Sequence, residues 1–191
     1  MLTTYNHFSE IAPQYKNLRT TDLEPILFIK QTLKDIPRIQ AADLGCGAGR
    51  YDLKLVHHFG DGLDLTCIDE NEDMLRELQK NFNEIDIQNI KTLSAQADAI
   101  PLAANSLDAI LSFNAIHLFS LSAFLIEAAR VLRDYGHILL YSRLRGHNRR
   151  NIWGTYFPEF HELETRLYEL HELKDSIEAA ANLHLETIET F

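Results

Sequence analysis

The chain has 191 residues and a mass of 22.0 kDa, with 46% hydrophobic and 24% charged residues, the balance of one soluble globular domain able to bury a substantial core. A formal net charge of −10 and a sequence pI near 5.3 argue against a broad nucleic-acid-binding face, though not against a local basic patch. No apolar run approaches bilayer-spanning length and the N-terminus, MLTTYNHFSE, lacks the basic and apolar regions of a signal peptide, so a cytoplasmic location is expected by default. Cys46 and Cys67 make neither a disulfide framework nor a metal-ligand spacing, and they read as small buried hydrophobes or turn fillers. The histidines are scattered, so no metal site is expected.

Residues 5–15 form an amphipathic segment broken by Pro13. Residues 22–33 carry a helical stripe (Leu23, Ile26, Leu27, Ile29, Leu33), with Pro25 tolerated in the first turn and Pro37 ending the pattern. Residues 39–50, IQAADLGCGAGR, are the most informative stretch. An apolar run (Ile39, Ala41, Ala42, Leu44) holds the acid Asp43 near its end and leads into Gly45, Gly47 and Gly49. Tyr51, Leu53, Leu55, Val56 and Phe59 then recur at helical spacing. Strand, glycine turn and helix make up the layout of a nucleotide-binding first crossover, in which bare backbone N–H groups approach a ligand closely. Arg50 occupies the place where a G-x-G-x-x-G fingerprint needs its third glycine or alanine.

Residues 63–69 (LDLTCID) predict a second strand ending in Asp69 and Glu70. An acid roughly 20 residues past the glycines, at a strand's carboxyl end, can accept two hydroxyls of a ribose diol. Alternatively, Asp69 or Asn71 caps the helix predicted over 71–82, whose core face is Met74, Leu75, Leu78 and Phe82. A third strand is predicted over 90–93, followed by a turn around Asp98, and an apolar, central fourth strand over 106–113. In the following loop, 114–119, His117 is the only titratable side chain. Its near-neutral pKa suits a general base, and packing beneath the loop is an equal alternative. A helix over 121–132 and a fifth strand over 137–141 come next.

Beyond it, Arg143, Arg145, His147, Arg149 and Arg150 form a basic cluster that reads as a receptor for an anionic substrate group or as a solvated loop. Residues 151–160 contain Trp153, Tyr156, Phe157 and Phe160, the wall of an apolar acceptor pocket or a packed cap. Helices are predicted over 163–170 and 173–181, and residues 183–191 (LHLETIETF) alternate like a sixth strand.

Asp43-Leu44-Gly45-Cys46-Gly47-Ala48-Gly49, an acid-x-G-x-G-x-G run, resembles the first motif of the class I S-adenosylmethionine (SAM)-dependent methyltransferases at every one of its positions. Phe8, Ile11, Ala12 and Tyr15 match the Phe-x-x-Ile-Ala-x-x-Tyr opening of many small-molecule methyltransferases, including the quinone-biosynthesis type. Residues 127–136 resemble the family's Glu-x-x-Arg-Val-Leu-Lys-Pro-Gly-Gly turn. There Asp134 and Tyr135 replace Pro-Gly, and Gly136 is left to supply backbone freedom.

The resemblance implies an α/β fold, a three-layer α/β/α Rossmann-like sandwich with a mostly parallel sheet. It implies N-terminal cap helices over 1–36, a SAM-binding core over 37–142, and an acceptor-side region with the final strand over 143–191. The cofactor is SAM and the product S-adenosylhomocysteine (SAH). Implied cofactor contacts are Asp43, Gly45, Cys46, Gly47 and Gly49, then Asp69 at the ribose beside Glu70. Ala97, Asp98 and Ala99 follow at the adenine, and Asn114 at the methionine part. Tyr15 closes the pocket and His117 is the candidate base. The implied reaction is in-line transfer of the methyl group to an O, N or C atom of a small-molecule acceptor, anionic or aromatic.

The family sheet closes with two antiparallel strands, and the chain has material for the first alone. Either the fold lacks its last strand or the sequence is a truncation of a longer protein. Oligomeric state is left open. A tRNA or rRNA methyltransferase using the arginine cluster is a rival, opposed by the net charge and by the absence of an Asn-Pro-Pro-Tyr-like base-flipping motif. A catalytically inactive SAM-binding partner protein is another. A nicotinamide oxidoreductase is opposed by the glycine spacing and Arg50.

Overall fold

A computed structural model describes residues 4–17, 20–87, 90–149, 156, 165–180 and 182–190. Strand β1 (Ile39–Leu44) lies between β2 (Leu63–Asp69) and β4 (Leu107–Phe113), with β3 (Lys91–Ser94) and β5 (Leu132–Tyr141) outside them. All four pairings are parallel, and the strand order is β3-β2-β1-β4-β5. The chain runs outward from β1 to β3, then crosses back over β1 to β4 and β5. That reversal opens a crevice at the carboxyl ends of β1 and β4, the place where open α/β sheets bind ligands.

Helices α1 (Thr4–Ile11), α2 (Glu24–Thr32), α3 (Asp52–Phe59), α4 (Glu72–Asn83), α5 (Leu121–Val131) and α6 (Leu170–Ala179) accompany the sheet. Ala41, Leu65, Cys67 and Leu111 face one core layer with Ile26 and Ile29 of α2 and Leu55 of α3. Their chain neighbours Ala42, Ile68 and Ile110 face the other layer, against Phe124, Leu125 and Ala128 of α5. This period-two division buries both sides of the inner strands, which is why they read as apolar runs in the sequence. Among the described residues no helix is long and apolar enough to cross a membrane.

Several expectations are corrected. Strand β5 begins at Leu132, which pairs with Leu107. The chain then swings out, and pairing resumes at His137 opposite Ala109. The left-handed residue of this excursion is Tyr135 (φ 64°), 97% exposed, and not Gly136. Gly136 is required for a different reason: a Cβ there would come within 2.9 Å of Leu132 Cδ2 and 3.0 Å of the Arg133 carbonyl.

The helix expected over 163–170 is absent from residues 165–169, of which 165–167 form a turn and bend. The carbonyls of Thr165, Leu167 and Tyr168 accept hydrogen bonds from Arg145 (3.5, 2.9 and 3.0 Å), which replaces helical pairing. Helix α6 starts earlier than the residue 173 expected, with the Glu172 carboxylate reaching back to the Glu169 N–H (2.6 Å).

Residues 182–190 do not form a sixth strand. Leu183 packs onto the α5-side core, while Leu185 and Ile188 remain exposed. Alternation supplies an apolar edge, but among the described residues no ladder forms with it, and a strand requires both.

The third glycine of the motif serves packing. Gly49 has φ +79°, and a Cβ on it would approach Leu78 Cγ to 2.8 Å. Its absence lets α4 close on the loop, where Asn81 Nδ2 donates to the Ala48 carbonyl at 3.0 Å. Gly49→Ala is expected to lower unfolding free energy by about 1–3 kcal/mol in urea denaturation, through strain at positive φ plus overlap with Leu78.

Candidate functional site

The crevice holds a pocket of about 300 Å³. Residues 45–47 form its floor, residues 69–71 and 95–98 its walls on the β2 and β3 side, and Asn114 and Ala115 its wall on the β4 side. Tyr5, Phe8 and Tyr15 of the N-terminal segment also line it.

Local hydrogen bonding explains how the loop holds this shape. The N–H groups of Gly45 and Cys46 both donate to the Ile68 carbonyl (2.8 and 3.2 Å), which bends the chain sharply out of β1. Gly45 is left-handed, and a side chain there would overlap the Ala115 Cβ. Asp69 then clamps two segments. Its Oδ2 accepts from the Gly47 N–H and its Oδ1 from the Asn71 N–H, both at 2.8 Å. Asn71, and not Asp69, is the cap of α4, accepting from the N–H groups of Asp73 (3.0 Å) and Met74 (3.1 Å). Its amide donates to the Tyr5 carbonyl (2.9 Å) and Ser9 Oγ (3.0 Å), tying down the N-terminal segment. Each Asp69 oxygen keeps a lone pair for a ligand hydroxyl. Burial raises the pKa of Asp69, and the two backbone donors oppose that rise.

On the opposite wall, Ser112 Oγ donates to the Leu44 carbonyl (3.0 Å), joining the ends of β4 and β1. Asn114 adopts φ 55°, a left-handed conformation its short polar side chain tolerates, and its N–H donates to the Tyr141 carbonyl (2.7 Å). Gln96 Nε2 donates to Glu70 Oε2 at the rim (3.2 Å). The structure thus brings Asp43, Gly45, Cys46, Gly47, Asp69, Glu70, Ala97, Asp98 and Asn114 around one pocket, with Tyr15 over it. Gly49 sits behind the loop against α4, and Ala99 is exposed outside the lining.

His117, in the short 3₁₀ turn Ile116–Leu118, lines a different space: a wide cleft of about 2400 Å³ that runs along β5. Phe8, Tyr15, Arg50, Tyr51 and Asn114 line both spaces, so the pocket and the cleft meet there. Tyr51 stacks on Phe113 (centroids 4.3 Å apart, planes 6° apart), and the Arg50 guanidinium lies 5.0 Å over the Tyr51 ring. Tyr141 donates its hydroxyl to Asp22 Oδ2 at 2.7 Å. Burial first, then the nearby Asp22, raises the pKa of both tyrosines, so both phenols stay protonated at neutral pH.

Of the basic cluster, Arg145 is engaged internally with the Leu167 carbonyl (2.9 Å) and Glu172 (3.4 Å), whereas Arg143 is exposed on the wide cleft. The side chains of Arg149 and Arg150, and residues 151–160 apart from exposed Tyr156, lie outside the described residues.

Two acids lie beneath the glycine loop. Asp43, 1% exposed on β1, stands in register with Cys67 of β2, and Asp52, 0% exposed, opens α3. Cys67 Sγ donates to Asp52 Oδ1 at 3.1 Å. Burial pushes Asp52 up to about 6; burial and then the neighbouring Asp52 carry Asp43 well above the carboxylate range. Asp52 went unnoticed in the sequence, as did Tyr5, the place of Arg50 in the pocket lining and the tether from Asn71. Its signal was present: Asp52 lies three, four and seven residues before Leu55, Val56 and Phe59, a carboxyl on an apolar helix face.

A family model described as a methyltransferase domain matches residues 41–136. A Dictyostelium discoideum protein named as a methyltransferase is 27% identical over 135 residues, 71% of this chain and 48% of that protein. The ubiquinone/menaquinone biosynthesis C-methyltransferase UbiE of Rickettsia bellii is 29% identical over 143 residues, 69% of this chain and 57% of the relative. The chain spans about half the length of the curated relatives it matches. In fold, it is similar to the crystal structure of a SAM-dependent methyltransferase from Aquifex aeolicus. The TM-score is 0.68 at 22% identity, over 88% of this chain and 87% of that one.

A carboxyl whose pKa rises on folding favours the folded state while protonated, and that advantage is lost as pH climbs through the folded value. For Asp52 the window runs from about pH 4, where unfolded carboxyls ionise, to about 6. Asp52→Asn keeps the acceptor for Cys67 and removes this loss. The variant is therefore expected to exceed the wild type in stability by about 1–3 kcal/mol at pH 8, and to converge with it near pH 4, in paired denaturation curves.

Proposed function

The chain belongs to the methyltransferase-domain family, and from that premise we propose that it is a class I methyltransferase with SAM as its cofactor, methylating an oxygen, nitrogen or carbon atom of a small-molecule acceptor and releasing SAH. The observation that carries this reading is the Asp69 carboxylate, fixed at the end of β2 by two backbone donors and facing a pocket floored by bare backbone.

The residues present fit SAM. Asp69 has lone pairs for the ribose hydroxyls, and about 300 Å³ falls at the lower end of small-molecule pocket sizes. In this reading Ala97 and Asp98 meet the polar edge of the base. The backbone of residues 45–47 and Asn114 hold the methionine part, with the buried acid Asp43 on the side of its positive charge. When bound, SAM supplies a methyl carbon already activated by a sulfonium. The protein's own contribution is positioning.

Tyr15, Tyr51 and Asn114 stand where pocket and cleft meet, and there they orient the acceptor and exclude water. Their aromatic faces suit a flat apolar acceptor, while Arg50 and Arg143 suit one that carries an anionic group. The Rickettsia relative's name, a C-methyltransferase of quinone biosynthesis, is consistent with an aromatic acceptor. His117, on the acceptor side, takes the proton of a hydroxyl or amine acceptor.

Calorimetric titration of SAH into the purified chain tests the cofactor half of the proposal. Micromolar binding is expected, weakened at least tenfold (about 1.4 kcal/mol) in Asp69→Ala. A folded wild type that binds no SAH would overturn the reading. For the acceptor half, once a substrate is found by tritiated-methyl transfer, His117→Gln is expected to lower kcat about tenfold or more while the Kd for SAM stays unchanged. An unaltered kcat would remove His117 as the base.

A further inference from the structure

Asp43 and Asp52 are buried together without a compensating cation among the described groups that face them. One oxygen of each, Asp43 Oδ1 and Asp52 Oδ2, is buried with no hydrogen-bond partner among the described residues. Both side chains flank Cys67: Asp43 stands in register with it across β1 and β2, and Asp52 Oδ1 accepts its thiol at 3.1 Å. Among the described residues, the titratable groups that act on them are thiols or acids: Cys67 and Asp69 from β2, and Cys46 from the glycine loop. Arg50, just ahead of α3, is engaged with the Thr20 carbonyl and the Tyr51 ring. Two carboxylates in that setting do not both ionise, because like charges removed from water raise each other's affinity for a proton. A proton held between them supplies the donor that both orphan oxygens lack.

Asp43 lines the pocket and Asp52 does not. We propose that Asp43 and Asp52 share one proton in the ligand-free protein and release it when the cationic cofactor enters, so that SAM loading is proton-coupled and Asp52 is a positioning residue acting through Asp43. This inference rests on the assignment of the pocket to SAM. The balance is simple: a carboxylic acid paired with a carboxylate loses one proton to solvent and becomes two carboxylates, taking the pair from one negative charge to two. SAM brings an ammonium and a sulfonium against its single carboxylate. SAH lacks the sulfonium and draws off less of the proton.

The test is calorimetric titration of SAM, and separately SAH, into the full chain near pH 6.5, in two buffers of different ionisation enthalpy. Wild-type protein is expected to release a substantial fraction of one proton per SAM, with less for SAH, and its SAM Kd is expected to tighten about tenfold between pH 5.5 and 7.5. In Asp52→Asn the amide donates to Asp43 and its oxygen still accepts from Cys67, so no proton is released and the Kd is flat with pH.

A wild-type binding enthalpy independent of buffer, or equal release in Asp52→Asn, would overturn the proposal. Should the variant fail to fold, the infrared difference spectrum of the wild type decides. Loss of a carboxylic-acid C=O band on adding SAM supports the shared proton, and no such loss contradicts it. Failure is distinguishable from failure of the cofactor assignment, because in the latter case no binding heat is seen in any buffer, and the inference falls with it.

Discussion

The Asp69 carboxylate holds together three parts of the chain that are distant in sequence. One oxygen fixes the glycine loop through Gly47, and the other fixes the start of α4 through Asn71. Asn71 passes the constraint to the N-terminal segment through Tyr5 and Ser9. Hydrogen bonds to a charged acceptor contribute about 1.5–3 kcal/mol each, so this one side chain accounts for much of the local order. A residue that binds ligand hydroxyls from such an anchored position loses little freedom on binding, and preorganisation of this kind favours affinity.

Much of the framework was legible in the sequence because it is written in local period. The apolar runs of β1, β2 and β4, the glycine turn, and the stripes of α2, α4 and α5 each need only a window of a few residues to identify. The pocket was legible to the same extent: strand ends and the turns after them carry Asp43, Asp69, Asp98 and Asn114 to the same side of a parallel sheet. What escaped depends on contacts across long separations. Arg145 turns the segment at 165–169 away from helix by taking its carbonyls, and Asp22 joins Tyr141 from the other end of the chain. Residues 182–190 have the alternation of a strand but form no ladder among the described residues. In the β5 excursion, Tyr135 takes the left-handed position because it is fully solvent-facing, while close contacts reserve the next place for Gly136.

The electrostatics beneath the loop pull against stability. Asp43, Asp52, Cys46 and Cys67 are all buried, and burial raises the pKa of each. A hydrophobic replacement would relieve that tension, but at Asp43 it would also remove one of the acids that line the pocket. Local violations of this sort are expected at functional sites, where an arrangement unfavourable in the empty protein becomes favourable with the ligand present.

The most direct test of the central claim is a crystal structure of the chain with SAH. The account predicts the ribose hydroxyls within about 2.5–3.0 Å of the Asp69 oxygens, the base beside Ala97 and Asp98, and the amino-acid end over residues 45–47 near Asn114. SAH seated only in the wide cleft along β5, with Asp69 making no contact beyond its two backbone donors, would contradict it.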